Sequence, residues 1–347
     1  MRLRYLLLLA VPASLIAASL HAAPLLVFIL ACVAVLPLAG IMGDATEHLA
    51  VRTGPTMGGF LNATFGNAAE LIIAIVALRA GLVELVKASI TGSILGNLLL
   101  ILGLSLVAGG TKRETLTFNR TAASMSAGML ALAVVGLVFP SLFHSIHPRG
   151  SETTELLMAE GVAIILLATY AASLLFSLKT HRRLFGGEPH PLDVAPWPVG
   201  KAVLILGGAT VGVAFESEIL VHAVESVTST LGWSQTFLGL IIIPLIGNAA
   251  EHATAVVVAR KGQTDLALQI ALGSSTQVAL LVAPLLVFIG VFLGTPMNLA
   301  FSTFEVIAVA LATVVVSIVV QDGESNWFEG VQLLAVYLMI AIAAFFL

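Results

Sequence analysis

Charge is what this chain has least of. Asp, Glu, Lys and Arg together make up 10% of its 347 residues, and the formal net charge is −4. So small an imbalance excludes capture of nucleic acid or of any other polyion. Cysteine is nearly absent: Cys32 stands alone, so no intramolecular disulfide forms and the redox compartment is left open. A single thiol in an apolar run reads as a packing residue. There is no His-Glu-x-x-His pair for zinc and no Gly-x-Ser-x-Gly nucleophile turn, which argues against a hydrolase, and we expect neither an enzyme nor a bound cofactor. His144, His147, His181 and His190 fall in loops without the spacing of a metal site. Against these shortages, 59% of residues are hydrophobic and the mean hydropathy is +1.08. Such a chain has too little polar surface for water, and the lipid bilayer must be its solvent.

Apolar runs long enough to span predict an all-α polytopic membrane protein of about eleven transmembrane helices. The first run, 3–20 behind Arg2 and Arg4, has two readings: a cleaved signal peptide ending near Ala22-Ala23, or a retained leading helix occupying 1–23. The first group of five spans follows over 24–180, and the polar stretch 181–198, with Arg182, Arg183 and four prolines, is the expected linker. A second group of five occupies 199–347. Two of the runs, 54–81 and 82–110, exceed the roughly 20 residues of a straight crossing, which predicts tilt or a break.

The two groups repeat each other. Gly66-Asn67-Ala68-Ala69-Glu70 returns as Gly247-Asn248-Ala249-Ala250-Glu251, and Gly92-Ser93 as Gly273-Ser274, at a constant offset of 181 (251 − 70 and 273 − 92). The same offset pairs Gly58 with Gly239 and Asp44 with Glu225. With the N-terminus in the cytoplasm, twelve basic residues, from Arg2 and Arg4 through Arg52, Lys112, Arg113, Arg120 and Lys179 to Lys261, fall inside. Only Arg79, Lys87 and Arg149 fall outside. Five spans per repeat then invert the second copy relative to the first, the layout of many secondary transporters with a site at the midplane.

A carboxylate within a span costs about 2.5 kcal/mol or more and marks function by default. Glu70 and Glu251 are therefore the candidate site. Gly58, Gly59, Asn62 and Gly66 precede one, and Gly239, Pro244 and Gly247 the other, so both helices are expected to loosen and turn carbonyls inward. Asn67 and Asn248 lie three residues before their acids, which predicts that amide and carboxylate share a helix face. An all-oxygen pocket with two acids suits a hard divalent cation, calcium above all. Without the cation, two adjacent carboxylates in low dielectric do not both stay ionised, so competition between calcium and protons is already an exchange mechanism.

Flanking spans add Ser93 and Asn97 in the first half and Ser274 and Gln277 in the second, each pair on one face. Their alternative reading is interhelical hydrogen bonding without a ligand. His252 follows Glu251 where the first copy has Leu71; it reads as a proton carrier or as a residue bonded to a neighbouring helix. Asp44, Glu47, Glu218 and Glu225 are placed near span ends, as vestibule acids or solvated interfacial ones.

Residues 59–70, 247–253 and 322–330 resemble the calcium/cation antiporter superfamily and, within it, the proton/calcium exchanger branch. The resemblance covers essentially the whole chain. It implies one leading helix plus two inverted five-helix repeats, with Glu70 and Glu251 binding calcium and protons by turns. It implies too that a glutamate followed by histidine marks proton coupling, and that Asn97 and Gln277 stand where sodium-coupled relatives place acids or other polar groups. The expected function is export of calcium from the cytoplasm across the cell membrane in exchange for protons, with a sodium-coupled exchanger of calcium or another divalent cation as the alternative. Calcium, protons and lipid are the expected partners, no nucleic acid is, and the oligomeric state is left open.

Overall fold

The computed structural model describes residues 6–53, 55–146, 152–181, 184 and 196–347, and almost all of them are helical. A short leading helix α1 (Ala10–Ser19) precedes α2 (Pro24–Thr53). A broken pair, α3 (Pro55–Phe65) and α4 (Ala68–Arg79), leads to the long α5 (Val83–Gly110), then to α6 (Arg120–Ile146) and α7 (Glu152–Leu175). The same order then returns. α8 (Val199–Leu231) precedes the broken pair α9 (Gln235–Gly247) and α10 (Ala249–Arg260), the long α11 (Thr264–Leu293), α12 (Thr303–Val319) and α13 (Trp327–Phe345). Most of the expected linker 181–198 lies outside the described residues, as do Arg2, Arg4, Arg149, Arg182 and Arg183.

Among the described residues seven helices, α2, α5, α6, α7, α8, α11 and α13, are long and apolar enough to cross a membrane, and the bent pair α9–α10 makes an eighth. α1 and α12 are apolar but shorter. A count of eleven requires these two and the α3–α4 pair as well, and rests on the order of elements rather than on length.

The helices begin and end where local chemistry says they should. Ser302 and Glu305 form a reciprocal capping box that starts α12, and the Asn326 side chain accepts two backbone N–H groups at the head of α13. The turn between α4 and α5 rests on Gly81 at φ +78°, a conformation that a side chain disfavours. α2 runs on beyond its apolar stretch as helix to Thr53, so Asp44 and Glu47 lie within it, and so does Arg52, expected in a loop. α8 likewise runs past Glu218 and Glu225 to Leu231.

α5 is the central helix: 83% of its most apolar window is buried, against 17% for α7 and 22% for α13. The outer helices point Ile164, Ile165, Leu338, Met339 and Ile342 outward, as lipid contact requires. Small residues let the inner helices touch through their backbones. A Cβ on Gly239 of α9 would lie 2.7 Å from the Leu85 carbonyl oxygen of α5, and one on Gly92 would strike the Leu240 carbonyl. Where α5 crosses α13, Gly103 and Gly330 face each other, each leaving under 3 Å between an added Cβ and the other's carbonyl oxygen, at 2.9 and 2.7 Å. α2 packs along α8, and each also touches the broken pair of the other group.

Candidate functional site

The two five-residue phrases fall on the two helix breaks. Gly66 ends the ladder of α3, its N–H donating to the Asn62 carbonyl, and the ladder resumes when Leu71 N–H donates to the Asn67 carbonyl. In the second group Asn248 N–H donates to Pro244 and His252 N–H to Asn248, and the chain bends by 60° between α9 and α10. Asn67 and Asn248 are thus the residues that precede α4 and α10, outside regular helix, with φ −100° and −94°. Each amide thus stands at the break itself, three residues ahead of an acid in the first turn of the following helix.

The break has an effect that the sequence reading missed. Glu70 and Glu251 stand in the first turns of α4 and α10. Unpaired N–H groups there give a partial positive charge that favours a carboxylate by about 0.3–1 kcal/mol. The Glu70 carboxylate also accepts from its own backbone N–H.

The structure brings the two acids together. Glu70 is buried, and Gly247 lies against it: a Cβ on that glycine would sit 3.4 Å from Glu70 Cγ. The two carboxylates act on each other electrostatically. Glu251 is half-buried and has the Ser274 hydroxyl beside it, yet its Oε2 is closed off and has no hydrogen-bond partner. Asn248 Oδ1 is orphaned in the same way. Buried acceptors without donors are rare enough that each calls for an explanation.

Around the acids runs a relay of neutral side chains joined by hydrogen bonds. His252 Nε2 lies 3.2 Å from Asn97 Oδ1; Asn97 Nδ2 donates to Ser274 Oγ at 3.0 Å; Ser274 Oγ donates to Asn67 Oδ1 at 2.8 Å; Asn67 Nδ2 donates to Gln277 Oε1 at 2.7 Å. Separately, Asn248 Nδ2 donates to Ser93 Oγ at 3.2 Å. With the amides oriented in this sense, the imidazole donates at Nε2. The relay crosses from α10 to α5, α11 and the α3–α4 break, so it ties both groups of helices at one level. Ser93, Asn97, Ser274, Gln277 and His252 therefore all take part in bonds between helices, and among the described residues no bond joins His252 to either carboxylate. Gln277 also faces Gly66, a Cβ on which would lie 3.6 Å from Oε1.

Local helix geometry explains how the amides arrive there. α5 widens into a π turn over Gly96–Ile101, and α11 does so over Val278–Val282. Asn97 lies in the first and Gln277 directly precedes the second, and an inserted residue re-aims a side chain against the stripe it would otherwise join. Among the described residues no cluster of three or more His, Cys, Asp or Glu is placed to hold a metal, so a cation here would rely on two carboxylates completed by amide, hydroxyl and carbonyl oxygens.

Asp44, Glu47, Glu218 and Glu225 are not part of this cluster. Glu47 and Glu225 are exposed, and Asp44 and Glu218 are half-buried. Glu218 forms an ion pair with Arg79 of α4, Nη2 to Oε1 2.6 Å, on the exposed side of α8. The acid that α8 does bury is Glu216, which the sequence reading passed over. It continues a stripe of buried residues at helical spacing, Ala209, Val213 and Leu220, and that spacing is the signal that would have singled it out. Lys87, expected on the outer side of the membrane, is buried in α5, where Nζ donates to Asn298 Oδ1 and the Ala300 carbonyl, both at 2.8 Å.

Known proteins share this arrangement along the whole chain. The family model described as sodium/calcium exchanger protein matches residues 23–179 and 201–346, one match per group of helices. A "Ca(2+)/H(+) antiporter" of Aphanothece halophytica is 44% identical over 98% of this chain and 95% of its own length. The "Ca(2+)/H(+) antiporter ChaA" of Bacillus subtilis is 42% identical over 97% of each. Among solved structures, native YfkE superposes with a TM-score of 0.87 at 40% identity, covering 99% of this chain and all (100%) of that one. The "H+/Ca2+ Exchanger CAX" superposes with a TM-score of 0.77 at 14% identity over 99% of this chain and 91% of that one, a likeness of fold. On matches that reach both groups of helices, this chain belongs to the sodium/calcium exchanger family, in its proton/calcium exchanger branch.

Proposed function

We propose that this protein is a secondary active transporter that exchanges calcium for protons by alternating access, with Glu70 and Glu251 as the shared binding site. The single observation that carries this reading is the pair of acids within electrostatic reach of each other, Glu70 packed on Gly247 of the second phrase, with Glu251 Oε2 and Asn248 Oδ1 orphaned beside them. Two carboxylates shielded from water need two positive charges. One divalent ion supplies both, and so do two protons, whereas the surrounding Asn67, Asn97, Asn248, Ser93, Ser274 and Gln277 supply only neutral dipoles. Either cargo leaves the site near neutrality and free to cross; the empty, doubly ionised site is the costly one. That cost makes release of one cargo depend on arrival of the other. The named relatives, all calcium/proton antiporters, support the same choice of ions.

The oxygen-rich donor set suits a hard cation that accepts irregular coordination, as calcium does. Gly66 and Gly247 sit at the breaks, where backbone carbonyls are available to complete the shell. The repeated order of α2–α7 and α8–α13, the 181-residue offset (251 − 70) and the basic residues on one side favour two inverted five-helix repeats. On that layout the N-terminus is cytoplasmic, the C-terminus is outside, and calcium leaves across the cell membrane.

In proteoliposomes without sodium, an imposed pH step is expected to drive calcium accumulation, and Glu70→Gln or Glu251→Gln to abolish it. Transport retained in either variant, or uptake that needs a sodium gradient, rejects the assignment.

A further inference from the structure

Glu216 takes no part in the cluster just described. It lies mid-way along α8 with 0% of its surface exposed, and its carboxyl group faces Ser14 of α1, also 0% exposed. Ser14 Oγ is 2.7 Å from Glu216 Oε1, 2.7 Å from Oε2 and 2.8 Å from the carbonyl oxygen of Val11. Three acceptor oxygens therefore surround one hydroxyl, which brings a single proton. With an ionised Glu216, two of those three short contacts would be lone pair against lone pair, and a full charge would be buried beside one neutral dipole. A carboxylic acid supplies one of the two missing protons: its O–H donates to Ser14 Oγ, Ser14 donates onward to Val11, and a single unbonded contact, to the second carboxyl oxygen, is left instead of two beside a charge.

Among the described residues, no charged side chain is hydrogen-bonded or ion-paired to Glu216. α1 has no ionisable residue between Ala10 and Ser19. The ionisable groups of the elements packed on it are Cys32, Asp44, Glu47, His48 and Arg52 of α2, Glu70 and Arg79 of α4, and Lys201, Glu218, His222 and Glu225 of α8 itself, and the hydrogen bonds of the Glu216 carboxyl go to Ser14. Arg79 is engaged by Glu218, and Arg52 by the carbonyls of Pro196 and Trp197.

We propose that Glu216 is a proton-binding site separate from the Glu70–Glu251 pair, and that its bound proton fastens the leading helix α1 to α8. Loss of the proton creates a charge that Ser14 alone cannot hold. The carboxylate must then reach water, and α1 must part from α8 to let it. The inference does not depend on which ions the protein transports.

The test uses the full-length protein in nanodiscs with Ala17→Cys as reporter, one helical turn beyond Ser14 and buried in the same seam. Labelling by a water-soluble maleimide is compared with and without Glu216→Gln, a neutral isostere, at matched pH, so that the titration of the reporter thiol cancels. The native Cys32 is buried and serves as an internal control. The labelling rate of the protein that keeps Glu216, divided by that of the Glu216→Gln variant, is expected to be near one at neutral pH and to rise about tenfold in alkali, the effect of losing one buried hydrogen bond. A ratio that stays at one, or faster labelling of the Glu216→Gln protein at neutral pH, overturns the proposal. A second measurement needs no change at Glu216. In a Glu70→Gln/Glu251→Gln background, the infrared band of a protonated carboxyl group is expected at neutral pH and should shift with Ser14→Ala. No such band, or no shift, overturns the proposal equally.

Discussion

Ser274 sits in the middle of the relay, accepting from Asn97 and donating to Asn67. Ser274→Ala strands a buried amide donor and a buried amide acceptor at once, each worth about 1–3 kcal/mol when left unmade. The variant is expected to lower the thermal midpoint in detergent, and Asn67→Ala to do likewise because Gln277 and Ser274 then lose their partner. A midpoint unchanged in both variants would show that the relay bears no stress in the folded protein. At this scale the sequence was legible where depth alone identifies a residue: an acid inside an apolar run stands out, and Glu70 and Glu251 were found that way. It was illegible where identification needs the helix face. Glu216 and Glu218 are two residues apart on one helix, and the exposed one drew attention because it stands nearer a presumed span end. The tie from Glu216 to Ser14 links positions 202 residues apart, and no spacing rule reaches that far.

Elements meet here through backbone. The facing glycines Gly103 and Gly330 leave no room for a methyl group without parting α5 from α13. Gly103→Ala and Gly330→Ala are each expected to destabilise by about 1–3 kcal/mol. Gly128→Ala on α6, where an added Cβ meets nothing within 4 Å, is expected to be neutral or slightly stabilising through helix propensity. Thermal unfolding of the three proteins side by side checks the ranking, and equal midpoints would refute it. Glycine and proline near the two phrases correctly signalled loosened helices. They did not signal where the breaks fall, at the asparagines, nor the π turns that aim Asn97 and Gln277, because a one-residue insertion leaves hydrophobic periodicity almost unchanged over a single turn.

For the molecule as a whole, the proposed competition sets the sign of the pH response. Protons and calcium claim the same carboxylate oxygens, so calcium binding should weaken as pH falls, and each calcium bound should release protons, up to two. Titration calorimetry in buffers of different ionisation enthalpy measures that release; a heat independent of buffer would contradict a shared site. The repeat was readable because both copies of the phrase, the glycine-serine pair and an acid keep one offset. Length was read less well for α8, which extends well past the hydrophobic run that announced it, since helix continues wherever the backbone can pair, whether or not the side chains are apolar.

The ion pair between Arg79 and Glu218 joins α4 to α8 in the open, with side chains 64% and 44% exposed. Exposed bridges of this kind contribute about 0–1 kcal/mol, and mobile ions screen them within roughly 8 Å at physiological ionic strength. A tether so weak restrains two helices without arresting them. Should those helices slide past each other during transport, added salt would slacken the tether, and turnover should respond to ionic strength in the native protein but not in Arg79→Gln.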